Sequence, residues 1–276
     1  MPRRISNQVS AATPPALHPA RLRAGLVLAV IAALASFAVR AEAQPAVVQE
    51  SPMAPVPFSV GEELVFHAKF GIFSAGTARM RVEGIDTVRG RPAYHVTFAV
   101  DGGIPLFHVH DRYDSWIDVV TLSSLRHEQH VSEGRYHRNT TYEIMPESGE
   151  YKKNDEPARP SVENPLDDGS FIYAVRAAGI RVGETRRDDR YFIPDRNPVI
   201  LTGVREDTVT VGAGTFATTV VRPTITSGGI FSEHGEAQVW FTNDDRRLPV
   251  LLKTHFSRFS LTLSLTSVTY GAVASR

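Results

Sequence analysis

From Phe58 onward, apolar and polar residues take turns with a period of two, and no other feature of the chain limits its fold as tightly. The cleanest run sets Phe259, Leu261, Leu263 and Leu265 against Ser260, Thr262, Ser264 and Thr266. Successive side chains of a strand point to opposite faces, so such a run makes one dry face and one wet face. Leu64, Phe66, Ala68 and Phe70 repeat the pattern against Val65, His67 and Lys69. Ala78, Met80 and Val82, then Tyr94, Val96, Phe98 and Val100, continue it. Further strands are expected over 106–117, 124–131, 136–145, 188–194, 198–211, 215–226, 235–243, 248–256 and 258–270. Turn-forming residues separate them, at Gly71–Gly76, Arg89–Pro92, Glu133-Gly134, Glu147–Gly149, Gly212–Gly214 and Ser227–Gly229. The expected fold is mainly β, a large antiparallel meander forming a barrel-like roll or sandwich. No series of helices alternates with the strands, which excludes a doubly wound α/β fold.

One stretch breaks the alternation. Between Asn164 and Arg176 the spacing changes to that of a helix, expected at about 167–178. Asp167 or Asp168 caps its first turn, Phe171, Ile172, Val175 and Ala178 share a face, and Gly179 stops it. A helix this short is marginal alone in water, so its apolar face must pack on the sheet. It serves either as a plug for the β core or as one wall of a site lined by Asp167, Asp168, Tyr173 and Arg176.

Ahead of the strands, residues 1–43 read as a signal peptide. Arg3, Arg4, Arg21 and Arg23 precede an apolar run from Ala24 to Val39, and Ala41-Glu42-Ala43 forms an A-x-A cleavage signal. The run is shorter than the roughly 20 residues of a membrane-spanning helix. No cysteine follows it, so no acylated lipoprotein anchor is expected, and the chain has no disulfide. Residues 44–57 hold four prolines and read as a flexible tether, leaving 58–271 as a single β-rich domain. The leader takes five of the 30 basic and one of the 30 acidic residues. The remainder therefore carries 25 against 29, a formal net of −4, which does not favour nucleic acid as a partner. The expected location is periplasmic or secreted, with no integral membrane span after cleavage.

Catalytic patterns are thin. The chain has no Gly-x-Ser-x-Gly elbow, no cysteine nucleophile and no phosphate-cradling loop. His108-Val109-His110 puts two imidazoles on one strand face, with His127, His130 and His137 on the following segments. A site needs three or four ligands, and His-x-His alone lacks that spacing, so no cofactor is expected; a divalent metal at His108 and His110 is the alternative the pattern leaves room for.

Four segments in order resemble a known family. They are Gly61-Glu62-Glu63-Leu64 with Phe70–Gly76; Asp111–Asp118 with the Asn164–Arg176 helix; Gly212–Phe216 with Arg222-Pro223; and Glu236–Val250, which contains Val239-Trp240-Phe241 and Arg247-Leu248-Pro249. In register they are similar to the bacterial exported-protein family catalogued as domain of unknown function 3108, over roughly 58–271. The resemblance implies an exported, mainly β protein and brings no reaction, ligand or catalytic residue.

The expected function is non-catalytic binding of an envelope lipid or glycan component. Phe171, Tyr173, Val175, Arg176 and Trp240 are the expected ligand-binding residues. Two alternatives stand beside it. One is a structural or assembly factor whose sheet edges pair with an envelope protein. The other is a metal-dependent hydrolase centred on His108 and His110.

Overall fold

A computed structural model describes residues 55–104, 107–225, 237–256 and 259–271. The leader, its cleavage point and the tether up to residue 54 lie outside these residues. Fourteen strands follow in chain order: β1 Glu63–Phe70, β2 Phe73–Val88, β3 Arg91–Ile104, β4 Phe107–Asp118, β5 Ser124–Glu133, β6 Tyr136–Met145, β7 Glu150–Lys153, β8 Arg159–Pro160, β9 Thr185–Asp188, β10 Val199–Val211, β11 Gly214–Ile225, β12 Gln238–Thr242, β13 Pro249–Phe256 and β14 Phe259–Thr269. One helix, α1, spans Asp168–Ala178, and a 3-10 turn spans Pro194–Arg196.

All fourteen strands join one antiparallel sheet in the order β8-β7-β6-β5-β4-β3-β2-β1-β14-β13-β12-β11-β10-β9. Every neighbour is also a neighbour in sequence except one: β14 returns to lie beside β1, pairing Phe66 with Leu265 and Ala68 with Leu263. Two meanders are thus zipped together where the cleanest alternating segments meet. The sheet is barrel-like but not closed, with β8 and β9 as its edges.

The alternation sorts the faces as expected. Leu64, Phe66, Ala68, Ala78, Met80, Val82, Val96, Leu263 and Leu265 are buried in one large apolar cluster. A second cluster gathers Tyr142, Ile144, Tyr151, Val175, Phe192, Leu201, Val221, Val239 and Phe241. At Gly76 the β2 and β3 backbones approach so closely that a Cβ would lie 2.2 Å from the Asp101 carbonyl oxygen, in a φ of +132°. Only glycine fits there.

Two local expectations are corrected. The strand placed at 188–194 is instead β9, ending at Asp188. Asp188 turns to accept the Arg190 backbone N–H, and residues 190–192 bond to Leu166 ahead of α1. Strands β7 and β8 have no counterpart in the expected series. They are short and polar, with Tyr151 the only buried residue of the six, so period two has too little contrast to show there.

The helix begins at a reciprocal cap. Asp167 Oδ1 accepts from the Gly169 and Ser170 backbone N–H groups at 2.8 and 2.9 Å, while Ser170 Oγ accepts from Asp167 N at 2.8 Å. The cap is stitched to the sheet as well: Ser115 Oγ on β4 donates to Asp167 Oδ1 at 2.7 Å, and Ser124 Oγ on β5 accepts from Asp167 N at 2.9 Å. Gly179 ends the helix at φ +67°. Packed on β3 and β4, α1 places Tyr173 in the first apolar cluster and Val175 in the second.

Candidate functional site

Inside the roll lies a cavity of about 700 Å³. Its walls come from β1 (Phe66, Ala68, Phe70), β3 (Val96, Phe98, Val100), β13 (Leu251, Leu252) and β14 (Leu261, Leu263), with Ile172 and Tyr173 of α1. Folded small-molecule sites run roughly 300–1,000 Å³ and are mostly apolar with a few placed polar groups. Two polar clusters interrupt this wall.

The first lies beside the helix. The Tyr191 hydroxyl donates to Asp168 at 2.9 Å and accepts from Arg196 Nη1 at 2.7 Å, and the guanidinium stands over the Tyr191 ring at 5.3 Å. Burial, and then the charge of Asp168, push the Tyr191 hydroxyl far above its ordinary value, so it stays protonated and bridges the two ions. Arg196 is the only cation among the described residues of the wall. The second cluster is Asp111 and Glu133 on the paired strands β4 and β5. Partial burial and the neighbouring Asp111 carboxyl raise the Glu133 carboxyl above its usual range. Asp111 itself is fixed by the Ser132 backbone N–H at 2.8 Å.

The residues singled out from the sequence part company here. Tyr173 lines the large cavity, and burial raises its hydroxyl well above the ordinary tyrosine value. That hydroxyl has no hydrogen-bond partner among the described residues. Phe171 and Val175 face a separate small space of about 70 Å³, so the helix face that carries them is almost filled. Arg176 does not reach the cavity. It is fully buried on Glu62 and on the Pro57 and Arg246 carbonyls, so its work is to hold elements together. Trp240 lies on the face opposite Val239 and Phe241, and its indole N–H donates to Asp207 at 2.9 Å rather than to the cavity. His108 and His110 are exposed, and His110 lies 3.5 Å from Asp101. Among the described residues no group of three or more His, Cys, Asp or Glu is placed to hold a metal ion.

Sequence reasoning missed one cluster altogether. Ser115, His127 and Asp167 are buried side by side, at distances like those of a catalytic triad. The hydrogen bonds assign a different role. Arg138 holds the Gln129 carbonyl oxygen at 3.0 Å, which turns the amide N–H toward His127 Nε2, also at 3.0 Å. Nε2 is therefore the acceptor, and Nδ1 carries the proton, which it gives to the Asp114 carbonyl at 3.0 Å. A serine nucleophile needs an unprotonated ring nitrogen facing it. Ser115 meets an N–H instead and spends its own proton on Asp167, so the cluster braces the helix cap.

Fold and cavity together define a class: an open, barrel-like antiparallel β roll around an apolar space, with helix α1 against it. The chain belongs to the family described as protein of unknown function (DUF3108), which matches residues 65–266. The roll is similar to the crystal structure of a beta-barrel-like protein of domain of unknown function DUF1849 from Brucella abortus. That likeness has a TM-score of 0.50 at 12% identity and covers 79% of this chain and 100% of that one. A Parabacteroides distasonis protein (TM-score 0.36, 10% identity) and a Bacteroides fragilis protein with a YmcC-like fold (TM-score 0.30, 11% identity) match over the same shares, 79% and 100%. No curated protein matches. No helix among the described residues is long and apolar enough to cross a membrane.

Proposed function

We propose that this protein binds an amphiphilic lipid of the cell envelope without catalysis, holding the lipid's apolar chain inside the roll. The cavity of about 700 Å³ carries the reading. A packed β core leaves few voids larger than a water molecule, and a space this large walled by Phe, Leu, Val and Ile gains most by taking up hydrocarbon. A glycan would need a wall dense in hydrogen-bonding groups, and this one is mostly apolar, with Thr97, Tyr113, Ser115 and Tyr173 the polar side chains outside the two clusters. The Arg196–Tyr191–Asp168 cluster and the unpartnered Tyr173 hydroxyl supply polar contacts to the lipid. The leader pattern of arginines, apolar run and Ala41-Glu42-Ala43 supports a periplasmic or secreted location.

The assembly reading has less support. The two sheet edges are the two-residue β8 and the four-residue β9, and β9 carries Arg186 and Arg187, which suits edges protected from strand addition.

The test is native mass spectrometry of the full chain purified without detergent from its own envelope, alongside titration with a fluorescent fatty-acid analogue. The expected result is a lipid adduct, and probe binding that Ala68→Phe weakens by narrowing the cavity. A protein that retains no lipid and does not take up the probe overturns the proposal.

A further inference from the structure

The strand register gathers three hairpin tips at one end of the roll. Phe70 faces Phe73 across the β1–β2 turn, Ile104 faces Phe107 across β3–β4, and Glu133 faces Tyr136 across β5–β6. β14 begins at the same end, with Leu261 opposite Phe70. These tips carry apolar side chains where turns ordinarily carry polar ones. Ile72 is 91% exposed and Phe73 56%, with Phe107 and Tyr136 exposed beside them. Phe107 belongs to two places at once, since it also lines the cavity. The cavity therefore reaches this end, and the exposed residues rim its mouth.

The charges near the rim are mainly basic. Lys69 and Arg135 are exposed at the tips with Arg138 just behind, and His67, His108, His110 and His137 stand among them. Asp101 is the exposed acidic residue there, with Glu133 partly buried and Asp111 buried behind it. This basic and imidazole-rich end belongs to a chain whose formal net charge past the leader is −4, so it stands against the overall balance.

We infer that this end is a docking surface for an anionic lipid bilayer. The apolar groups sit on separate turns instead of forming the broad contiguous patch a protein partner needs for close complementarity. A bilayer asks only that individual side chains enter the headgroup region while flanking cations meet lipid phosphates. Aromatic and long basic side chains suit that boundary, each with an apolar body and a polar tip. Docking there brings the mouth of the cavity to the lipid source. The inference goes beyond the cavity proposal and can fail without it.

The experiment is cosedimentation of the full chain with vesicles of equal parts phosphatidylcholine and phosphatidylglycerol, and with phosphatidylcholine alone. Ile72 and Phe73 do not line the cavity, so the paired variant Ile72→Ser/Phe73→Ser separates docking from ligand uptake. Binding to the mixed vesicles is expected to exceed binding to neutral ones, and the paired variant to lose about tenfold or more in affinity. Its uptake of the fluorescent fatty acid in solution is expected to stay unchanged. Ile85→Ser/Val120→Ser, at the opposite end, is expected to bind vesicles as the parent does. With Phe73→Trp, indole emission is expected to move to the blue on adding mixed vesicles. No binding to the mixed vesicles, equal binding to neutral ones, an unaffected Ile72/Phe73 variant, or an equal loss in the Ile85/Val120 variant each overturns the inference. Loss of fatty-acid uptake in the parent chain with docking intact counts against the cavity proposal alone.

Discussion

Arg176 of α1 grips Glu62, one residue ahead of β1, through both carboxylate oxygens at 2.6 and 3.0 Å, in a pocket closed to water. The two are 114 positions apart, and the same guanidinium holds the Pro57 and Arg246 carbonyls and stands over the Phe58 and Tyr173 rings. Three parts of the chain meet on one side chain: the entry segment that leads into β1, α1 and the β12–β13 loop. Removing one partner of a buried ion pair strands the other charge, at a cost of about 3–5 kcal/mol. Arg176→Met is expected to lose that much in urea unfolding. Glu62→Leu with Arg176→Met should recover part of it, since no carboxylate is then left unpaired. A double variant no more stable than Arg176→Met alone would show that the pair itself is not what holds these elements.

Two carboxyls on neighbouring strands should give stability opposite slopes with pH. Glu133 is raised in the folded protein, by partial burial first and then by Asp111. Its folded form holds the proton more tightly than the unfolded chain does, so its ionisation lowers stability as pH rises above the unfolded value. Glu133→Gln is therefore expected to be more stable than the parent at pH 7, with the gain vanishing near pH 4. Asp114 behaves the other way. Burial alone would raise it, but the hydrogen bonds and charges of His95 and Arg112 outweigh that and hold it below the usual carboxylate range. Its contribution is present above the unfolded value and lost as pH falls through the folded one. Asp114→Asn should accordingly lose stability at pH 7 and little at pH 3. Urea midpoints across pH decide both, and parallel slopes for the two variants would refute the assignment.

The helix cap offers a sharper measurement. Asp167 Oδ1 accepts three hydrogen bonds, from Gly169, Ser170 and Ser115, while its Oδ2 is buried without a partner among the described residues. Loss of an ordinary cap costs about 0.5–2 kcal/mol, and Asp167→Ala additionally strands the Ser115 hydroxyl, so its loss should lie at or above the top of that range. Asp167→Asn keeps the accepting oxygen and should cost less. Thermal unfolding of the two ranks them, and equal losses would mean that Oδ1 is not the active partner.

How much of this is legible from residues alone follows from what each signal encodes. Period two shows because one face of most strands is wet, so the strands of the roll rest on visible contrasts such as Leu263 against Thr262, whereas which strands pair, as β14 does with β1, is not encoded in that period. The same contrast cannot separate a packed interior from a hollow one, because Phe66 and Ala68 are dry in either case. Arg176 reads as a ligand contact since a charged residue on a short helix is usually near solvent, and its partner Glu62 is too far along the chain for spacing to reveal. His127 is one of a set of histidines in a pattern where only strand pairing shows which is buried. Phe107 and Tyr136 look like ordinary strand residues because alternation does not report where a strand meets the open end of a roll.

The hollow interior is best tested by two alanines on adjacent strands. Ala68 on β1 and Ala78 on β2 are both buried, but Ala68 lines the cavity and Ala78 does not. Forcing a larger side chain into a filled core costs about 1–3 kcal/mol or more through displaced neighbours and distorted rotamers. Ala78→Phe meets such a core and should lose at least that much. Ala68→Phe projects its ring into open space beside Phe66 and Leu263, where it buries apolar surface without displacing anything. Its stability should match the parent within about 1 kcal/mol, because gained burial offsets the lost side-chain freedom. The pair thus turns a volume into a free-energy difference that calorimetry can read. If Ala68→Phe were as damaging as Ala78→Phe, the interior would be filled in solution, and lipid would have no room beside α1.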